Sequence, residues 1–269
     1  ADTVAKGIKA IDKAGNKIAD FEKHSFYVDK TNPKVSIEKI VDKSANNDAG
    51  NIGYVITATD TNFDVFTPVL TAIVRNGNTF EKKVIDAGSM SNITNGKTYT
   101  VTNLDDDGVY KITCTVVDKA GNAYSDVTLS RKDGSTYNAK RSGKDTLLTF
   151  SVNREGSTFD IDKNTIKLLD RYYIQDVEKD VVIEEINADI LEKKQVTLNG
   201  KKLNDSQYTV NHVGGGDSWE KYTYTIDKSL FKNEGEYNVI VSSIDKATND
   251  AFSDVKDAGI KFVVDRTAP

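Results

Sequence analysis

The chain has 269 residues, of which 38% are apolar and 29% are charged, a composition typical of a soluble protein long enough for about two domains. Its formal charge of −5 argues against nucleic acid as a partner, because phosphate binding requires clustered Lys and Arg. No apolar run reaches the roughly 18 residues that a membrane-spanning helix needs. We therefore expect no membrane insertion, and we expect any export signal or anchor to lie outside these residues.

One loop occurs three times along the chain. Alternating residues lead into it at 8–16 (IKAIDKAGN), 114–122 (CTVVDKAGN) and 241–249 (VSSIDKATN). Its aspartates, Asp12, Asp118 and Asp245, are 106 and 127 residues apart, which is about the length of one β-sandwich domain. The chain is therefore predicted to consist of repeated sandwich modules, and the Asp-Gly-Asn chemistry of the loop is typical of a turn that closes a hairpin between the last two strands.

A second repeated element follows each loop, at 26–30 (FYVDK), 150–154 (FSVNR) and 262–266 (FVVDR). The first and last copies continue to Pro33 and Pro269. Proline restrains the residue before it to extended geometry, which suits a stiff exit from a final strand. We therefore predict a partial module of two strands at 1–33 and complete modules at 34–153 and 154–269.

A third element precedes the loop in both complete modules. Leu104-x3-Gly108-x-Tyr110 matches Phe231-x3-Gly235-x-Tyr237, and the spacing is similar to the tyrosine corner of immunoglobulin-like sandwiches. The alternative is that Tyr110 and Tyr237 are simply aromatic residues of the core.

Local patterns agree with an all-β fold. Period-2 runs predict strands near 52–58, 110–114, 195–198 and 219–226. Asn-Gly pairs at 76–77, 95–96 and 199–200 favour tight hairpin turns. Only Thr165 to Tyr173 has helical spacing, behind Asn164 as a possible cap.

The DKAGN loop followed by a strand that ends in V-D-x-T-x-P resembles the bacterial immunoglobulin-like repeats of large cell-surface proteins and adhesins. This resemblance covers essentially the whole chain. It implies tandem immunoglobulin-like β-sandwich modules, exposed at the cell surface or attached to the cell wall. The middle copy departs from the pattern, with 153–156 (NREG) in place of a proline and an insert near 131–145, which leaves the rigidity of the second junction open.

Catalytic chemistry is not indicated by the residues present. The chain contains one cysteine and two histidines, and these form no recognisable nucleophile and base pair. Cys114 shares the alternation phase of Tyr110 and is predicted to face the core. His212 precedes a run of glycines that lacks a phosphate-binding pattern. We therefore predict that the protein is not an enzyme and uses no cofactor.

Two patterns are compatible with a metal site or a glycan site, and each also has a purely structural interpretation. Asp105 to Asp107 offers oxygen ligands of the kind that calcium prefers, but the aligned turn in the next module contains Lys232, so no metal is expected. Trp219, beside a glycine-rich loop, is a weak candidate for stacking on a sugar ring; the alternative is a partly buried edge residue. An isopeptide bond between Lys and Asn or Asp cannot be read from the sequence.

The sequence therefore favours a non-catalytic stalk or adhesin segment that spaces or presents a binding surface. Its expected partners are adjacent modules of the same chain and a host protein, matrix protein or glycan. The alternative is a glycan-binding or spacer segment of a secreted carbohydrate-active enzyme.

Overall fold

The computed structural model describes residues 2–4, 11–17, 25–48, 52–76, 79–142, 145–162, 165, 173–215, 218–256 and 258–269. Within these ranges the chain is built from β-strands, most of them paired antiparallel, which form two β-sandwiches with separate cores. The all-β fold of tandem β-sandwich modules predicted from the sequence is confirmed.

The first segment contributes a two-stranded sheet. Strand β1 (Asp2–Val4) pairs antiparallel with β2 (Ser25–Tyr27). An isolated bridge between Ile11 and Lys17 closes the first copy of the repeated loop. Residues 11–17 and 26–28 are exposed, so this part of the segment contributes no side chain to either sandwich core.

The first sandwich, module 1, contains eleven strands. They are β3 (Lys34–Val41), β4 (Ser44–Asn46), β5 (Tyr54–Thr59), β6 (Phe63–Asn76), β7 (Thr79–Ile85), β8 (Gly88–Ile93), β9 (Gly96–Val101), β10 (Gly108–Asp118), β11 (Asp126–Ser130), β12 (Thr136–Lys140) and β13 (Thr146–Val152). One sheet has the order β4-β13-β10-β6-β7 and the other β12-β11-β3-β5-β9-β8. Alternate residues of β10 are buried, because strict alternation places every second side chain between the two sheets.

The second sandwich, module 2, follows the same plan with ten strands. They are β14 (Thr158–Ile161), β15 (Tyr173–Ile174), β16 (Val181–Asn187), β17 (Leu191–Leu198), β18 (Lys201–Lys202), β19 (Tyr208–Val213), β20 (Glu220–Ile226), β21 (Gly235–Asp245), β22 (Asp250–Phe252) and β23 (Ile260–Val264), with a short 3-10 helix at Lys228–Phe231. One sheet has the order β14-β16-β20-β19. In the other, β21 lies between β17 and β23 and also pairs with β22.

The Asn-Gly pairs behave differently from one another. Asn199 and Gly200 have φ values of 49° and 75° and form the two-residue turn between β17 and β18, as expected for a type I′ hairpin. Between β8 and β9 the turn is Thr94-Asn95, because Gly96 already pairs with Ile93. A Cβ at Gly96 would lie 2.1 Å from the carbonyl oxygen of Ala58, so glycine there permits close approach of β5. The pair at 76–77 extends beyond the described residues.

The structure bears on two further predictions, the hairpin at the repeated loop and the helix at 165–173. The repeated loop closes a local hairpin in both modules, but in module 1 the chain then crosses to the other sheet as β11 before its last strand β13. There β11 pairs parallel with β3, and part of the insert at 131–145 forms β12, which pairs with β11 and extends that sheet. The predicted helix at 165–173 lies almost wholly outside the described residues, although Tyr173 belongs to β15.

Candidate functional sites at the module junctions

In the repeated loop, the aspartate carboxylate accepts hydrogen bonds that fix the conformation of the residues after it. One carboxylate oxygen of Asp118 accepts hydrogen bonds from the backbone N–H groups of Ala120 and Asn122, both at 2.8 Å. The other oxygen accepts the side-chain amide of Asn122 at 2.8 Å. Gly121 has a φ of +88°, which favours glycine. The loop therefore holds the amide of Asn122 in a fixed position.

The third copy has the same hydrogen-bonding frame. The carboxylate of Asp245 accepts the backbone N–H of Asn249 at 2.8 Å and its side-chain amide at 2.9 Å. Both asparagines then reach the segment before their own module: Asn122 donates to the carbonyl oxygen of Asp29 at 3.1 Å, and Asn249 donates to that of Asn153 at 2.8 Å. The loop thus fastens each module to the segment before it.

Carboxylates converge at the first junction. Asp29 follows β2, Asp60 follows β5 and Asp118 ends β10, and one carboxylate oxygen from each lies within 4.8 Å of the others. Asn62 donates its side-chain amide to Asp29 at 2.5 Å and its backbone N–H to Asp60 at 2.7 Å. The sequence analysis missed this cluster, because its three members come from segments that are far apart in the chain.

Amides replace carboxylates at the second junction. The side-chain nitrogen of Asn153, which is 1% exposed, donates to Asn187 Oδ1 at 2.5 Å, to Asp245 Oδ2 at 2.9 Å and to Asp189 Oδ2 at 3.0 Å. The amide of Asn187 also donates to Asp245 at 3.1 Å. Burial raises the pKa of Asp189 to about 6, although the hydrogen bond from Asn153 acts in the opposite direction.

Arg154 reinforces the second junction. Its guanidinium donates to the carbonyl oxygens of Leu104 at 2.7 Å, Asp105 at 3.2 Å and Asp48 at 3.0 Å. The carboxylate of Asp107 accepts the backbone N–H groups of Arg154 and Glu155 at 2.8 and 2.9 Å. Residues 153–156, which contain no proline, are therefore held by hydrogen bonds instead of by the restricted backbone geometry of a proline.

The acidic run at 105–107 does not act as one group. Asp107 faces the junction, Asp106 pairs with Lys83 at 2.6 Å, and Asp105 accepts the amide of Asn103 at 2.6 Å. Three different partners take the three carboxylates, so the run does not present a shared set of ligands.

Trp219 also lies between the modules. Its indole N–H donates to the carbonyl oxygen of Ile73 on β6 at 2.8 Å, and its ring packs against Phe80 with centroids 5.2 Å apart. It also lines a cleft of about 500 Å³ with Arg75 and Glu155. The contacts with β6 and β7 show Trp219 serving the junction, and a role in stacking on a sugar ring stays a prediction.

The two predicted corner tyrosines make matching contacts. Tyr110 donates its hydroxyl to the carbonyl oxygen of Asp106 at 2.7 Å, and Tyr237 donates to that of Asn233 at 2.8 Å. A Cβ at Gly108 would lie 2.8 Å from the carbonyl oxygen of Ile73, whereas Gly235 has a φ of +144°. The two glycines thus meet different local requirements beside equivalent tyrosines.

The remaining reactive residues are embedded in hydrogen bonds or in the core. Burial raises the pKa of the Cys114 thiol to about 12, which keeps it protonated and unreactive. The Nε2 atom of His212 lies 2.6 Å from Oε2 of Glu220, and its imidazole ring stacks on the ring of Tyr222. Glu185 is fully buried and accepts the hydroxyls of Tyr224, at 2.6 Å, and Ser243.

Comparison with known proteins gives one family match. The model of the Hb-interacting domain of Shr-like heme-binding proteins matches residues 170–247, which lie within module 2. No curated protein matches the chain. The solved structure of Titin-A168169 is similar at 10% identity and a TM-score of 0.35, covering 87% of this chain and 100% of that one. Among the described residues, no helix is long and apolar enough to cross a membrane.

Proposed function

We propose that this chain is a non-catalytic binding segment of an extracellular bacterial surface protein, and that module 2 binds a host heme protein, hemoglobin. The observation that carries this proposal is the match of residues 170–247 to a hemoglobin-interacting domain. Repetition of one sandwich plan supports a spacing and presenting role for the rest of the chain. The sequence analysis expects a host protein among the partners, and this proposal names hemoglobin as that protein.

A groove on module 2 is the surface that we assign to this partner. Its volume is about 820 Å³, and it runs between β17, β19, β21 and β22. All of its lining residues except Asp250 and Phe252 lie within the matched range. Two aromatic residues, Tyr208 and Phe252, line the groove beside lysines such as Lys193 and Lys202. Aromatic residues are enriched in protein interfaces.

Binding of the full chain to hemoglobin tests this proposal, measured by surface plasmon resonance with myoglobin as a second analyte. Phe252 lines the groove and is 48% exposed. We expect saturable binding that weakens about tenfold in Phe252→Ser, because exposed aromatic anchors often dominate interface energies. Tyr27→Ser is the control, since Tyr27 is 75% exposed in the first segment and should not matter.

Three results would contradict the proposal: no saturable binding, equal loss in both variants, or loss in Tyr27→Ser alone. Retained affinity in Phe252→Ser together with binding by the unmodified chain would move the interface away from the groove. It would leave the match to the hemoglobin-interacting domain as the remaining guide.

A further inference from the structure

Strand β8 is an unprotected sheet edge. It ends the sheet β12-β11-β3-β5-β9-β8 of module 1, and five of its six residues are exposed. Edge strands are usually very short or carry charged residues, a proline or a bulge, because their unpaired backbone groups invite pairing with another chain. Strand β8 pairs with β9 without a register shift and contains no charged residue and no proline.

The other strands that end the sheets of the two sandwiches are protected. Charged residues lie on β7 (Lys82 and Lys83), on β12 (Lys140) and on β14 (Asp160). Strands β4, β15 and β18 have three residues or fewer, and β19 contains His212. Among the sheet edges in the described ranges, β8 is therefore the one longer than three residues that has no ionisable side chain.

The register shows which backbone groups of β8 are unpaired. Alternate residues of a strand direct their backbone groups to opposite sides. The N–H of Asp60 donates to the carbonyl oxygen of Asn95 at 2.8 Å, so odd-numbered residues of β9 bond to β5 and even-numbered ones bond to β8. The residues of β8 opposite the even-numbered ones are odd-numbered. This leaves the N–H and C=O groups of Met90 and Asn92 directed outward, without a backbone partner among the described residues.

Strand β8 is complementary to a second copy of itself. Ser89 and Ser91 flank Met90. In an antiparallel pair with Met90 opposite its own counterpart, Ser89 lies opposite Ser91, and Asn92 lies opposite Gly88. The outward groups of Met90 then meet those of the other Met90, and the N–H of Asn92 meets the C=O of Gly88. Like charges opposite each other would destabilise such a pair, and β8 contains none.

The same register covers apolar surface and joins opposite charges. Met90 is 45% exposed and Ile93 is 41% exposed, and Ile93 comes opposite Ala87 of the second copy. Asp86 precedes β8, and Lys97 lies next to its far end on β9. Antiparallel pairing therefore sets the acidic end of each strand beside the basic end of the other, and opposite charges across a strand pair are stabilising.

We propose that two copies of the chain associate through β8, paired antiparallel about Met90, and form one continuous sheet across a two-fold axis. Both copies use the same surface, as in other two-fold interfaces. This surface belongs to module 1, whereas the groove that we assign to hemoglobin belongs to module 2. A dimer carries that groove twice, and two linked sites raise the apparent affinity for a partner with repeated sites.

Sedimentation velocity of the full chain over a range of concentrations tests the proposal. We expect a reversible monomer–dimer equilibrium with a dissociation constant of roughly 10⁻⁵ to 10⁻⁴ M, because one strand pair is at the small end of specific interfaces. Met90→Lys places like charges directly opposite each other and should weaken the dimer about tenfold or more. The matched control is Val255→Lys in module 2, where the side chain is 74% exposed; it should dimerise like the unmodified chain.

A mixing experiment tests the register itself. Met90→Glu should also be monomeric, and an equimolar mixture of Met90→Lys and Met90→Glu should recover the dimer, because opposite charges then lie across the axis. If either variant fails to fold by circular dichroism, Asn92→Pro is measured for the same loss of the dimer. It removes an outward N–H and leaves the hydrogen bonds to β9 in place.

Four results would overturn the proposal. They are a monomer at every concentration up to about 1 mM, an undiminished dimer of folded Met90→Lys, an undiminished dimer of folded Asn92→Pro, and a mixture of the two charged variants that stays monomeric. Hemoglobin binding is measured separately on module 2. Failure of one proposal is therefore distinguishable from failure of the other.

Discussion

The two junctions place equivalent residues in the same positions and stabilise them in different ways. At the first, Asp29, Asp60 and Asp118 bring three carboxylates together. At the second, two of those positions are Asn153 and Asn187, and the amide of Asn153 bridges the remaining oxygens. The same backbone frame thus surrounds different chemistry at its centre: carboxylates at the first junction and a bridging amide at the second.

The chain segments at the two junctions also differ in how their backbone is held in place. The first junction continues into Pro33, which is buried and restricts the backbone. The second has Arg154, whose guanidinium donates to three carbonyl oxygens of module 1 and its linker. The second junction therefore fixes its linker through contacts that the sequence pattern of the first does not contain.

The largest expected effect comes from Asn153→Asp, which removes the bridging donor and adds a buried negative charge beside Asp189 and Asp245. We expect the free energy of unfolding to fall by about 3 kcal/mol or more, because breaking a buried polar pair leaves an uncompensated charge. Urea unfolding followed by the fluorescence of Trp219, the chain's only tryptophan, measures this. Trp219 lies at the same junction.

Asn138→Asp is the control for this substitution, since Asn138 is exposed and only accepts the hydroxyl of Thr128, which a carboxylate also accepts. Unfolding energies that match for the two variants would show that the bridge of Asn153 contributes little.

A smaller effect is expected from pH at the second junction. Burial raises the pKa of Asp189 from 3.8 to about 6 in the folded protein. A raised carboxyl pKa means that the folded state binds the proton more tightly. The stabilisation is therefore complete below about pH 4 and is lost as the pH rises through 6. About 2 to 3 kcal/mol should be lost across this window, from roughly 1.4 kcal/mol per pKa unit.

Urea unfolding between pH 4 and pH 7.5 measures this loss, with Asp189→Asn as the variant that removes the titrating group. The pKa of Asp29 at the first junction is lowered, chiefly by the hydrogen bond from Asn62, so its stabilising contribution is lost only as the pH falls below about 4. An identical pH dependence in the unmodified chain and in Asp189→Asn would exclude Asp189 as the source.

Much of the fold could be predicted because it depends on local pattern. Alternation identified β5, β10 and β20 to within a few residues, and the repeated loop identified the modular plan. The turn at the repeated loop could be predicted because its conformation depends on local residues. Asp118 and Asn122 supply its hydrogen bonds, and Gly121 supplies its positive φ. The insert at 131–145 was noticed as extra length, but its pairing as β12 depends on which sheet edge was available.

The carboxylate cluster at the first junction could not be predicted, since Asp29, Asp60 and Asp118 are brought together only when the ends of β2, β5 and β10 meet. The sequence instead drew attention to Asp105 to Asp107, three adjacent acids that the fold directs toward different partners. Trp219 shows the same limit: its candidate role was drawn from the glycine-rich loop beside it in module 2, whereas its partners Ile73 and Phe80 belong to module 1.

The smallest expected effect tests whether the modules share one frame while their junctions differ. Tyr110→Phe and Tyr237→Phe each remove a hydroxyl bonded to a carbonyl oxygen four residues earlier, at 2.7 and 2.8 Å. We expect each to lower its own module's unfolding free energy by about 1 to 2 kcal/mol. Tyr54→Phe is the matched control: this buried hydroxyl has no partner among the described residues, so its loss should be neutral or stabilising. Equal destabilisation by all three variants in thermal unfolding would show that the hydrogen bonds of the Tyr110 and Tyr237 hydroxyls do not account for the cost.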